Sequence, residues 1–178
     1  MKKTTHAVVV ATLFSFFIIC NYESVSAQTQ ERKIPSASVK TLDGKTVDTK
    51  NLSNNGKPIL ISVWETTCKP CIMELDAIAE NYSDWQKETG VKVVAISIDN
   101  TRTASQVPVI VNSKDWQYEI YSDINQDFKR AMSFSYCPFN FLVDNNGNIV
   151  WQSNSYAPGD ENVIYELLKK LSKNEKLN

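Results

Sequence analysis

The stretch Ile59-Leu60-Ile61-Ser62-Val63-Trp64, then Glu65-Thr66-Thr67, then Cys68-Lys69-Pro70-Cys71, decides how the rest of the chain is read. Its first six residues are apolar but for one serine and rich in branched side chains, the composition of a strand buried on both faces. Beyond Cys71 the period changes. Cys71, Leu75, Ile78, Tyr82 and Trp85 fall on one stripe at helical spacing. A helix is therefore predicted to begin around Cys68 to Pro70, where proline is tolerated in a first turn, and to end at Gly90.

Two cysteines at a strand-to-helix junction carry specific chemistry. The first sulfur meets unpaired backbone N–H groups and the positive end of the helix dipole, which favour thiolate. Lys69 adds a nearby cation, and the two-residue spacing lets the second thiol, one turn inward, reach the first. Cys68 is then the exposed nucleophile and Cys71 the buried resolving thiol. A structural disulfide closing so short a loop would give little entropic benefit. A zinc site would need two further ligands. A copper(I) site using Cys68, Cys71 and Cys137 or Met73 is the strongest rival of these readings.

Outward from the junction, Val91 to Ile98 reads as a second continuous apolar strand and Thr101 to Asn112 as a helical stretch. Tyr118 to Tyr121 is a short strand and Ile124 to Met132 a short helix. Phe139 to Val143 and Asn148 to Trp151 flank the turn Asp144-Asn145-Asn146-Gly147. Glu161 to Leu171 is a terminal amphipathic helix with Val163, Ile164, Leu167, Leu168 and Leu171 inward. Upstream, Val39 to Leu42 and Thr46 to Asp48 flank Asp43-Gly44, a hairpin signal. Hairpin, βαβ, helix, hairpin and helix imply an α/β fold, a central mixed sheet with helices on both faces and an N-terminal β-hairpin. The 178 residues suit one domain.

The N-terminus reads as an export signal. Lys2 and Lys3 precede an apolar run from Ala7 to Cys20, and Val25-Ser26-Ala27 supplies small residues for cleavage. Residues 1–27 are thus expected to be a secretory signal peptide, 28–37 a short linker, 38–173 the folded domain and 174–178 a tail. An uncleaved membrane anchor and acylation on Cys20 are the alternatives. Cleavage would remove Cys20 and the only histidine, His6, leaving three cysteines. Ser-His and Cys-His nucleophiles, histidine-ligated metals and haem attachment are then excluded. A net charge of −1 gives no reason to expect nucleic acid as a partner.

Trp64-Glu65-Thr66-Thr67-Cys68-Lys69-Pro70-Cys71 resembles the W-x-x-x-C-x-P-C signature of the thioredoxin superfamily. Leu42-Asp43-Gly44-Lys45 and Gly56-Lys57-Pro58 resemble its TlpA/ResA branch of exported reductases. The resemblance implies a single thioredoxin-like domain, a thiol–disulfide oxidoreductase of the protein disulfide reductase type. It also implies a periplasmic location, protein substrates, a membrane electron donor and no cofactor or metal; we expect a monomer. Tyr136-Cys137-Pro138 matches the family's cis-proline loop, which docks substrate backbone. Trp64 and Thr67 are expected to join Cys137 and Pro138 in binding substrate; Thr67 stands where the family usually has tryptophan.

Glu74 matches a position where this branch often carries an acid. Helical phase places it about 60° from Cys71, with Asp76, Glu80 and Asp84 on the opposite side. There it can exchange a proton with Cys71. Ser62 stands where thioredoxin has a buried aspartate, and Glu65 is expected at the surface or in a hydrogen bond. Cys137 is expected to be a free thiol shaping the substrate groove, with competition for Cys68 as the alternative. A peroxiredoxin-like peroxidase would need the T-x-x-C arrangement, and Glu65 occupies the threonine position.

Overall fold

The computed structural model describes residues 32–177. The expected signal peptide, with His6 and Cys20, lies outside the described residues. The elements, in chain order, are β1 (Ser38–Thr41), β2 (Thr46–Asp48), β3 (Ile59–Trp64), α1 (Lys69–Thr89), β4 (Lys92–Ser97) and α2 (Gln106–Asn112). They continue with β5 (Glu119–Ser122), α3 (Asp127–Met132), β6 (Phe139–Val143), β7 (Ile149–Ser153) and α4 (Asp160–Ser172).

The strands form one mixed sheet in the order β2-β1-β5-β4-β3-β6-β7. The β3/β4 and β4/β5 pairs are parallel; the rest are antiparallel. Every residue of β3 is buried, which follows from its central place and explains a run that is apolar but for Ser62. Alternation divides its side chains between two cores. Leu60 and Trp64 pack with α1, α4 and Val107 of α2. Ile59, Ile61 and Val63 pack with Phe128 and Met132 of α3 on the other face. The mixed sheet with helices on both faces and the leading hairpin are therefore as the sequence suggests.

α1 carries the whole expected stripe: Cys71, Leu75, Ile78, Tyr82 and Trp85 are all buried. Gly90 stops it in the left-handed region at φ 70°, a conformation that costs glycine little.

Other boundaries differ from expectation. Helix α2 starts at Gln106, and the residues from Thr101 form turns. Pro108 lacks an N–H and fits only a first turn, so a helix from Thr101 could not run through it. α3 likewise starts at Asp127, since Gln126 sits at φ 59° and breaks helical geometry ahead of it. On α4, Val163 was expected inward but is 54% exposed. The buried stripe is the narrower Ile164, Leu168 and Leu171, and Val163 stands about 100° off Ile164.

Residues 32–37 are fastened to the domain rather than standing apart as a linker. Arg32 donates to the Met132 carbonyl at 2.7 Å, Lys33 bridges to Asn148, and Ala37 N–H donates to Thr49 Oγ1 at 3.0 Å. Among the described residues no helix is long and apolar enough to cross a membrane.

Candidate active site

β3 ends at Trp64, and four residues, Glu65 to Cys68, carry the chain across the end of the sheet to α1. Asp99, just past the carboxyl end of β4, fixes that crossing. Its carboxylate accepts from Thr66 N–H at 2.9 Å, Thr66 Oγ1 at 2.6 Å and Ser97 Oγ at 2.8 Å. The crossing is thereby tied to the neighbouring strand as well as to its own. Removing the acceptor leaves these donors unpaired, so Asp99→Ala should cost about 2–3 kcal/mol, the scale of hydrogen bonds to a charged group. Urea denaturation midpoints would measure it; an unchanged midpoint would mean the crossing is held some other way.

Cys68 is the N-cap of α1, and its Sγ accepts from the Cys71 N–H at 3.3 Å. The sulfur thus occupies the positive end of a 21-residue helix, where negative charge is favoured. Cys68 and Cys71 are joined as a disulfide with Cα atoms 5.3 Å apart. Cys68 is half-buried and Cys71 almost fully buried, so of the two sulfurs Cys68 is the one an incoming molecule reaches.

Glu74 lies one turn below Cys71 and is 1% exposed. Its Oε1 accepts from Asn140 Nδ2 at 2.5 Å. Asn140 lies directly across from Ser62 in the β3/β6 register. Glu74 Oε2, Asn140 Oδ1 and Ser62 Oγ are all buried without a protein partner. All three belong to residues on the α1 side of the sheet, in an otherwise apolar core where each unpaired group is costly. Burial pushes the Glu74 carboxyl up to about 7, against the Asn140 hydrogen bond and with help from the charges of Asp160 and Glu161. It is therefore poised to change charge near neutrality.

The Cys137–Pro138 bond is cis, as the sequence suggests. Pro138 is buried, Cys137 half-buried, and Cys137 is a free cysteine. The sulfurs of Cys68, Cys71 and Cys137 all lie within 4.8 Å of one another. Burial first, and the Glu65 charge second, push the Cys137 thiol up to about 12. Glu65 itself is half-buried, and its carboxyl is raised by burial and by Asp99. Thr67 is exposed beside the disulfide.

Trp64 requires a correction. It was expected among the substrate-binding side chains, but it is 0% exposed and meets Trp116 edge-on at 5.3 Å. The even parity of its place in β3 turns it under α1, so it supports the site from beneath. Two residues escaped sequence reading. Asp99 was signalled by a carboxylate closing an apolar run at the carboxyl end of a parallel strand, where sites of such sheets form. Asn140 was signalled by one amide inside Phe139-Asn140-Phe141-Leu142-Val143, matching the lone serine of β3.

Comparison with known proteins bears on this geometry. The model of the AhpC/TSA family matches residues 31–152. The thiol-disulfide oxidoreductase ResA of Bacillus thuringiensis (strain Al Hakam) is 31% identical over 121 residues, covering 68% of this chain and 67% of that protein. An uncharacterized thioredoxin-like protein from Porphyromonas gingivalis superposes with TM-score 0.71 at 46% identity, covering 79% of this chain and 92% of that one. The thioredoxin domain of a thiol-disulfide oxidoreductase from Bacteroides vulgatus, 20% identical, has the same fold at TM-score 0.63, covering 78% of this chain and 96% of that one.

Proposed function

The chain belongs to the AhpC/TSA family and is a thiol–disulfide oxidoreductase of the TlpA/ResA-like kind, and we propose that its working parts are Cys68, Cys71 and Glu74. The Cys68 thiolate attacks a sulfur of a substrate protein's disulfide, forming a mixed disulfide and releasing one substrate thiolate. Cys71, losing its proton, attacks Cys68 Sγ, re-forms the Cys68–Cys71 bond and releases the second substrate thiolate. The substrate gains two electrons and the enzyme's pair loses them. The observation that carries this reading is the capping of α1 by Cys68 Sγ with Cys71 buried one turn behind it.

Cys137, Pro138 and Thr67 form the groove where substrate backbone docks. Glu74 takes the proton of Cys71 as it attacks and returns it when the pair is reduced again. Residues 1–27 direct export to the periplasm, the domain at 38–173 acts as a monomer, and a membrane protein supplies electrons. The measurement that tests the direction is the reduction potential of the Cys68–Cys71 couple. A value near about −270 mV marks a reductant, and one near about −120 mV would reverse the direction.

Glu74 makes two pH predictions. Its folded value of about 7 lies above the ordinary 4.5, so the folded state keeps a proton the unfolded chain has lost. Stability from neutral Glu74 is therefore full below pH 4.5 and lost as pH rises through about 7. Against Glu74→Gln, which does not titrate, the wild type should lose ground across that window and level off above it. The exchange rate should carry an inflection near pH 7 that the Glu74→Gln variant lacks. Stopped-flow rates with a dithiol-reduced enzyme would check this; superimposable profiles would leave Glu74 without a part in the proton step.

A further inference from the structure

Two-cysteine exchange leaves Cys137 without a chemical role, yet its sulfur stands with those of Cys68 and Cys71 inside one 4.8 Å cluster. We propose that the reduced protein binds one copper(I) ion between the Sγ atoms of Cys68, Cys71 and Cys137. The site would then alternate between disulfide exchange and capture of a soft monovalent metal.

The geometry suits three-coordination. A thiolate bond to a first-row metal is about 2.3 Å long, so three sulfurs arranged trigonally around one ion lie about 4 Å apart. With Cys68 and Cys71 still bonded to each other, Cys137 Sγ already lies within 4.8 Å of both sulfurs. Once that bond is reduced, rotation about the cysteine χ1 bonds lets the three sulfurs take up the trigonal spacing. Two anchors hold the ligands near their places. Cys68 and Cys71 are fixed on the first turn of α1, and Cys137 is fixed by the buried Pro138 that follows it.

The donor set selects the ion. Thiolates are soft and favour copper(I), whereas zinc(II) asks for a fourth ligand. Among the described residues no histidine is present to provide one, since the chain's only histidine is His6. Glu65, whose charge reaches Cys137, is a hard carboxylate and half-exposed. Cys71 is buried while the other two sulfurs are half-buried, which leaves one side open for the ion to enter and be passed on.

Binding is gated by redox state. With Cys68 and Cys71 joined as a disulfide, two of the three ligands are absent. Reduction of that bond by the protein's electron donor, two electrons and two protons, creates the dithiol. Copper(I) then displaces the thiol protons to solvent and is neither oxidised nor reduced. Because the ion binds only the dithiol, it stabilises that state over the disulfide and competes with exchange. The inference depends on the proposed function only in needing a pair that cycles through the dithiol.

The test is anaerobic titration of the reduced full-length protein with tetrakis(acetonitrile)copper(I) against the chelator bicinchoninate, with insulin reduction followed in parallel. We expect about one copper per chain, three sulfur neighbours by X-ray absorption, and loss of insulin reduction in step with loading. Cys137→Ala, its fold checked by circular dichroism, should bind at least about tenfold more weakly with only two sulfur neighbours. Undiminished affinity in that variant, binding by the oxidised protein, two-sulfur coordination in the wild type, or preference for zinc(II) would each overturn the proposal. The wild-type coordination number stands even if the variant misfolds. Failure of insulin reduction in metal-free wild type would count against the exchange reading instead.

Discussion

Cys68→Ser should reduce exchange activity by roughly 10³-fold or more, the scale of losing an enzyme's nucleophile. A serine hydroxyl at the same N-cap still accepts the Cys71 N–H hydrogen bond, so α1 should form as before. It offers no thiolate, and helix-dipole stabilisation is far too small to ionise an alcohol at neutral pH. Cys71→Ser should act differently although its rate defect is comparable. Cys68 remains free to attack, but the mixed disulfide loses the thiol that resolves it, so adducts with substrate accumulate. Non-reducing gels of extracts expressing each variant would separate the two roles. High-mass adducts should appear with Cys71→Ser and vanish on adding dithiothreitol. Adducts with Cys68→Ser and none with Cys71→Ser would mean the assignments are exchanged.

Legibility in the sequence followed how local each signal was. The path from β3 into α1 was readable because a doubly buried strand and an amphipathic helix have different periods, and the cysteines fall where one becomes the other. The cis bond at Pro138 came through resemblance to a family, since no local pattern marks it. The free state of Cys137 followed instead from the short Cys68–Cys71 spacing, which favours that pair over a partner across a loop. The depth of Glu74 was suggested by helical phase, but its buried partner was not. Asn140 sits 66 residues further on and meets Glu74 only because β6 pairs antiparallel with β3. Asp99 reaches Thr66 by the same kind of long-range pairing, through β4. Trp64 was misplaced for a related reason. The motif shows that a tryptophan precedes the cysteines, while strand parity within the assembled sheet decides which way it points.

That orientation makes Trp64→Ala the largest stability effect expected in this molecule. Trp64 is fully buried on the α1 side of β3. It meets Trp116 edge-on; Trp116 stacks on Tyr118 at 5.8 Å and donates from its indole to Asp76 Oδ1 at 3.0 Å. Tyr118 in turn donates to the Leu75 carbonyl at 2.9 Å. The Trp64 ring therefore supports the contacts that hold the first turns of α1, with Cys71, against the sheet. Truncation to alanine should cost about 3–5 kcal/mol from lost burial and the cavity left behind. Domains of this size hold only about 5–15 kcal/mol in total, so the denaturation midpoint should fall by about a fifth or more at unchanged slope. Trp64→Phe should lose much less, because it keeps most of the ring and removes an indole N–H that is buried without a partner. A supporting role and a substrate contact give different kinetics. Measured well below the alanine variant's unfolding midpoint, the KM for a disulfide substrate should stay near that of the wild type. A raised KM with an undiminished midpoint would return Trp64 to the substrate surface.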